Sequence, residues 1–165
     1  MHSHAQGADR IARQHRSWAD VVADVPEFAE HVRHILVGRR HHTLATLRKD
    51  GSPRVSGIEL SFVDGELTLG MMPGSRKLLD VRRDARVAIH GISEDPPLDN
   101  HSAWPGDVKI AGRLVNIQTE QDPANPADGF RVEISELAWT RVGTTADHLV
   151  IESWRPEMGF QSRRR

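Results

Sequence analysis

Short apolar–polar alternations, broken by aspartate–glycine pairs, constrain this chain more than any other feature. Asp50-Gly51 and Asp64-Gly65 each stand between β-prone residues. Such pairs signal tight hairpins, whose central positions need a backbone that glycine and aspartate tolerate. Ile58, Leu60 and Phe62 alternate with Glu59 and Ser61, which gives that strand one buried face. Leu67, Leu69 and Met71 keep the same period, as do Val87 and Ile89, and then Val108, Ile110 and Leu114. Val115 and Ile117 fall in the other phase, and a bulge near Leu114 would explain the slip. Phe130, Val132 and Ile134 form a further strand with a second slip before Leu137 and Trp139, and Leu149 with Ile151 supplies the last. Strands this frequent, with one short helix among them, predict a closed antiparallel barrel: a mainly β fold with flanking helices. No Gly-x-Gly-x-x-Gly follows a strand, so the dinucleotide fingerprint of a Rossmann sheet is missing.

Two helices are expected before the strands. Trp18, Val21, Val22 and Val25 fall at helical spacing, and so do Phe28, Val32, Ile35 and Leu36. Asp24-x-x-Glu27 has the pattern of a capping box, Pro26 suits a first turn, and Gly38 is a stop. Residues 1–16 are polar and read as an extended tail; residues 156–165, ending Arg163-Arg164-Arg165, read as a solvated basic tail. The single domain then runs over residues 17–155, a size that supports its own core. His31 and His34 share a helix face and His41-His42 follow, a grouping that suggests zinc or haem iron. No carboxylate or cysteine completes a ligand pattern, so no metal site is expected.

Charge narrows the partners. The formal net charge of −1 gives no global field toward nucleic acid or membrane, so neither is expected. Cysteine is absent, which excludes disulfides and thiol catalysis and fits a reducing compartment. With no apolar leader region and no membrane-spanning run, a cytoplasmic protein is the expectation. No Ser-His-Asp triad, paired carboxylates or zinc-hydrolase pattern stands out, so the proton donor and the substrate stay unassigned.

One stretch carries chemistry. Pro73-Gly74 is a turn pair, Ser75 sits where a helix N-cap belongs, and Leu78, Leu79 and Val81 continue a short helix. Its first turn carries Arg76 and Lys77, and Asp80 and Asp84 come later. The helix dipole favours the opposite order by roughly 0.3–1 kcal/mol per charge. Cations beside free N–H groups and a hydroxyl make sense if an anion, such as a phosphate, binds there. A solvated basic turn is the alternative that these residues leave open.

Gly74-Ser-Arg-Lys77 before Val81-Arg-Arg-Asp-Ala-Arg-Val-Ala88 resembles the pyridoxamine 5′-phosphate oxidase-like split barrels, the flavin/deazaflavin oxidoreductase group. Leu44 to Ile58 upstream and Gly106 to Val115 downstream match the same family in order. The resemblance implies an antiparallel split β-barrel that forms a homodimer. It implies a flavin phosphate at Ser75, Arg76 and Lys77, and a ring system crossing Val55, Ser56, Gly57 and Ile58 toward Met71 and Met72. FMN is the implied cofactor, with the deazaflavin coenzyme F-420 as the alternative and haem or no cofactor also within the family. Flavin-using oxidases of the family tend to carry arginine where Ser56 stands, an aromatic–hydroxyl pair at Gly70-Met71, and Asn-Pro at Asp84-Ala85. These departures speak against vitamin B6 oxidation and resemble the actinobacterial-type branch. Trp104, in the loop Ser93–Pro105, either stacks on a cofactor ring or packs the barrel end. The implied function is hydride transfer between a bound (deaza)flavin and a small molecule; a non-catalytic cofactor store or sensor, or a decayed structural dimer, are the other readings.

Overall fold

The computed structural model describes residues 14–118, 120 and 122–165. Ser17 opens helix α1 (Trp18–Asp24) with a reciprocal capping box: its hydroxyl accepts from the Asp20 N–H, and the Asp20 carboxylate accepts from the Ser17 N–H. Helix α2 (Pro26–Gly38) follows at once, with proline in its first turn and no side-chain cap. The box expected at Asp24 and Glu27 therefore does not form. Asp24 instead accepts from the Trp154 indole N–H at 2.6 Å.

The strands are β1 (His41–Leu47), β2 (Pro53–Val63), β3 (Glu66–Met71), β4 (Arg86–Ile92), β5 (Asp107–Ile117), β6 (Asp128–Val142), β7 (Leu149–Arg155) and β8 (Gly159–Arg164). Helix α3 (Arg76–Arg83) lies between β3 and β4, and a short 3-10 turn spans His101–Ala103. The sheet runs β3-β2-β1-β4-β5-β6-β7-β8, and pairing of β3 with β6 closes its first six strands into an antiparallel barrel. The expected barrel with flanking helices is what the chain forms.

Strand β6 makes the closure possible by changing partners along its length. Asp128–Arg131 pair with β3, whereas Leu137–Val142 pair with β7, and β5 runs beside both halves. The change falls at a bulge: Ala111 faces Glu136 and Gly112 faces Ile134, so Ser135 is the extra residue. This is the second slip read from sequence. The slip expected near Leu114 is absent, because β5 keeps its phase with Leu114 buried and Val115 and Ile117 turned outward.

Leu44, Ile58, Leu67, Leu69, Val87, Ile89, Val108, Ile110 and Leu114 fill the barrel from alternating positions. Helix α2 adds Phe28, Val32, Ile35 and Leu36 to the same core, and Trp18 of α1 packs edge-on against Phe62 at 5.0 Å. Full burial of each such side chain contributes about 1.5–3 kcal/mol. The segment 156–165 is not a tail: Gly159 turns the chain with φ +67°, and Gly159–Arg164 pair with β7 as β8. Its ladder is made of backbone bonds, which leave no apolar period to read. Of the N-terminal tail, residues 1–13 lie outside the described residues, and Arg16 is tied by reciprocal backbone bonds to Ile134. Among the described residues, no helix is long and apolar enough to cross a membrane.

Candidate functional site

The turn after β3 builds the site. Gly74 takes φ +76°, Ser75 N–H bonds the Met72 carbonyl at 3.2 Å, and Ser75 then starts α3 in extended conformation. A serine in this place ordinarily accepts from an N–H of the first turn. Here it makes no such bond, and its Oγ is buried without a partner. The hydroxyl is thus unused by the fold. The first turn holds Arg76 and Lys77 and no acid, while Arg82 and Arg83 sit favourably in the last turn. The adverse charge order expected for the whole helix is confined to its start, since Asp84 lies just beyond its end.

Neither cation meets a carboxylate. Lys77 Nζ donates to the Gly57 carbonyl at 2.6 Å, and burial pushes its ammonium below the usual lysine value. Arg76 has no hydrogen-bond or ion-pair partner among the described residues. The two open on different concavities. Lys77 lines a cleft of about 570 Å³ with Gly57, Ile58, Gly70, Met72 and His41. Arg76 lines a groove of about 650 Å³ with Arg48, Lys49, Arg54 and Arg83, where five cations face only Asp50 and Asp80. Ser75 precedes both in sequence and stands at the head of the helix.

Asp80 organises the groove. Its side chain is 4% exposed and accepts from Arg54 Nε at 2.7 Å, Thr46 Oγ1 at 2.8 Å and Arg83 at 3.1 Å. Burial raises this carboxyl, but the hydrogen bonds from Arg54, Thr46 and Arg83 outweigh it and hold it at about 2. It therefore stays charged and fixes two guanidinium groups at the groove wall. Sequence reading missed Arg54, Arg83 and Asp80, whose contacts join β1, β2 and α3 across the barrel end.

The residues expected at the site divide by strand parity. Gly57, Ile58, Met72 and Lys77 come together in one cleft. Val55 is 71% exposed on the outer face, and Ser56 is half-buried on the inner one. Met71 is corrected: at 1% exposure it belongs to the barrel core, because alternation along β3 sends it inward and Met72 outward. Trp104 is half-buried after the 3-10 turn and lines neither concavity. Its loop is held to β6, through Ser102 Oγ on the Gly143 carbonyl at 2.7 Å and Trp139 Nε1 on the Pro105 carbonyl at 2.8 Å.

Among the described residues, no three metal-binding side chains converge. His31 stacks on Trp139 with centroids 4.7 Å apart, and His42 is buried against the Leu36 carbonyl at 3.0 Å.

These features fit a phosphorylated flat cofactor. A buried hydroxyl without a partner, a helix start and two uncompensated cations suit a phosphate. The Lys77 cleft lies within the range of small-molecule sites, roughly 300–1,000 Å³, and glycines at 57 and 70 keep its floor low.

No curated protein matches this chain in sequence. Solved structures do resemble it in fold. An FMN-binding protein related to pyridoxamine 5′-phosphate oxidase, from Nostoc punctiforme, aligns with a TM-score of 0.61 at 10% identity, over 86% of this chain and 95% of that one. A heme-binding protein from Mycobacterium smegmatis aligns with a TM-score of 0.59 at 18% identity, over 78% of this chain. The aligned part is 57% of that protein's length. PhzG from Burkholderia lata, solved with tetrahydrophenazine-1-carboxylic acid, gives a TM-score of 0.59 at 12% identity, over 86% and 90% of the two chains. At such identities the likeness concerns the fold alone. Residues 28–145, all six barrel strands with most of α2 and the Ser75–Lys77 turn, match the family described as pyridoxamine 5′-phosphate oxidase, and the chain belongs to that family.

Proposed function

We propose that this protein binds FMN, with its phosphate at Ser75, Arg76 and Lys77, and acts as a homodimeric oxidoreductase on a small organic molecule. The observation that carries this reading is the Ser75 hydroxyl, buried and without a partner at the head of a helix whose first two residues are cations that meet no carboxylate among the described residues. Arg76 offers a planar fork and Lys77 a point charge, and the two flank the helix start from different concavities. Gly57 and Gly70 let a ring approach the strands closely, and Met72 offers it an apolar contact beside the polar Arg40, Glu59, Ser61 and Asn125. The bound cofactor supplies hydride chemistry, and the chain supplies position.

The test is the double variant Arg76→Ala with Lys77→Ala, titrated with FMN and with riboflavin. Each charge-assisted bond contributes about 1.5–3 kcal/mol. Loss of both weakens FMN by two decades or more, at about 1.4 kcal/mol per decade. Riboflavin binding and the melting temperature of the free protein stay nearly unchanged. Equal FMN affinity in both proteins would reduce the motif to a charged turn. Tighter binding of the deazaflavin coenzyme F-420 than of FMN would keep the site and change its cofactor.

A second reading has its own observation. Phe28, His31, Trp139 and Phe160 line a cleft of about 590 Å³ between α2 and the β6–β8 sheet. The imidazole of His31 carries no hydrogen bond there among the described residues. A haem store using His31 as axial ligand would show a strong Soret band on haemin addition, lost in His31→Ala.

A further inference from the structure

The corner between α2 and β1 closes on one buried histidine that the site above does not use. His42 is 3% exposed, and its Nε2 lies 3.0 Å from the carbonyl oxygen of Leu36. That carbonyl stands in the last turn of α2, where oxygens have no partner inside the helix. An acceptor there calls for a proton on Nε2, which sets the neutral tautomer and leaves Nδ1 a bare lone pair. Nδ1 is buried and has no hydrogen-bond partner among the described residues. Its surroundings are apolar. A Cβ built on Gly91 would lie 3.6 Å from Nδ1, 3.6 Å from Val108 Cβ and 2.6 Å from Leu36 Cδ2. Only glycine at that position lets the helix end and the ring close on the sheet. Burial pushes His42 below its ordinary value, against the backbone bonds to Leu36 and Arg39 that raise it.

Residues 36–42 also form the rim of the Lys77 cleft. Arg40 Nε is 3.1 Å from Glu59 Oε1, His41 Nδ1 lies 3.8 Å from the same oxygen, and all three side chains line that cleft. On the other side of the corner, Gly38 and Arg39 border a pocket of about 160 Å³ with Ser93 and Glu94. The rim contacts hold the chain weakly, because Arg40 and His41 are each 78% exposed and exposed ion pairs contribute little. The His42 bond and the burial of Leu36 therefore carry the corner.

We infer that His42 is a proton-operated latch: neutral, it holds the last turn of α2 on the barrel, and protonated, it releases residues 36–42 and the Arg40–His41 rim with them. The latch operates without a bound cofactor. A second proton on the ring must sit on Nδ1, where no acceptor waits. The titratable neighbour is His41 on the same strand, and the helix end presents the carbonyls of Leu36 and Arg39. Ile58 of β2, Gly91 of β4 and Val108 of β5 bring no charge, and among the described residues no carboxylate bonds the ring. Above pH 6.5, the ordinary histidine value, open and closed forms both carry a neutral ring, and the closed corner keeps its full advantage. As pH falls below 6.5 the open form takes up the proton first, and each unit favours it by up to about tenfold.

The experiment is amide hydrogen exchange on the cofactor-free full chain at pH 7.5 and pH 5.5, corrected for the intrinsic chemical rate. It compares wild type with His42→Gln, which keeps an N–H donor and does not titrate. In wild type the amides of residues 38–43 exchange about tenfold faster at the lower pH, while those of Phe130–Ile134 in β6 change little. In His42→Gln the ratio between the two pH values stays near one for both segments. A wild-type corner indifferent to pH, or the same rise in His42→Gln, would overturn the latch. So would a rise spread equally over β6, since that is unfolding of the whole barrel. Gly91→Ala gives a test that leaves the histidine in place and does not depend on His42→Gln folding. Its added methyl group meets Leu36 Cδ2 and wedges the corner, so residues 38–43 exchange faster already at pH 7.5. Exchange there as slow as in wild type would equally overturn the latch.

Discussion

At the scale of single residues, Asp80 shows a charge serving fold and site together. It joins Thr46 of β1, Arg54 of β2 and Arg83 of its own helix on a side chain that is 4% exposed. Removing one member of a buried charge pair costs about 3–5 kcal/mol, because the partners keep their desolvation. Asp80→Ala is therefore expected to lower stability by about that amount in urea or thermal unfolding, with Asp80→Asn losing less. The pH dependence follows from the lowered carboxyl. Above its unfolded value of 3.8 the folded form holds the full advantage, and as pH falls from 3.8 toward about 2 the unfolded chain takes up the proton first. Wild type should lose stability across that window, and Asp80→Asn should lose less of it. Asp80 was legible only as a charge late in a basic helix. Two of its three partners, Arg54 and Thr46, lie 26 and 34 residues away in the chain, and no local pattern announces them. Ser75 was legible as an N-cap by position, but the bond it fails to make is a property of the folded helix start.

Strands and turns were more legible, because their signals are local. The Asp50-Gly51 and Asp64-Gly65 turns and the alternation of β2, β3, β4 and β5 follow from period-two burial, which a sequence displays directly. Strand β8 was hidden because an edge ladder is made of backbone groups, and the partner switch in β6 left only a phase slip as its trace. That switch depends on Gly112. A Cβ there would meet the Glu133 carbonyl oxygen at 2.1 Å and Ile134 Cα at 3.2 Å, so the bulge leaves no room for a side chain. Gly112→Ala is expected to cost about 1–3 kcal/mol or more, as overpacking against backbone does. Gly57 offers the contrast, with nothing within 4 Å of a Cβ. Gly57→Ala should leave stability within about 0.5 kcal/mol, since no buried contact changes. It should nevertheless weaken FMN, because the added methyl group stands on the cleft floor. Equal melting temperatures for the two variants would contradict the role given to the bulge.

For the whole molecule, the outer face of β1, β2, β4 and β5 is the surface on which the proposed homodimer can be tested. Closing the barrel directs the large apolar side chains inward, yet Val55 remains 71% exposed and Met72 66% exposed on or beside this face. Between them lie Gly57, Thr43, Ala45, Ala88 and Ala111, small residues that let another surface approach closely. Charges stand toward the ends, with Arg86 and Arg113 at one and Glu59 and Lys109 at the other. A low apolar stripe with charged ends suits a two-fold contact in which each patch meets its own copy. In the proposed homodimer a second chain would lie over the Lys77 cleft and would cover a ring bound there. A stable pair buries at least about 1,000 Å² in total. Near a two-fold axis a new charge faces itself, so Ala88→Glu sets two carboxylates against each other in a dry contact. Wild type loaded with FMN should sediment as a dimer at micromolar concentration. Ala88→Glu should sediment as a monomer with an unchanged circular dichroism spectrum, and should bind FMN more weakly because half of the cover is lost. A wild-type monomer that binds FMN tightly would show that one barrel suffices, and a dimer that persists in Ala88→Glu would move the contact to another face.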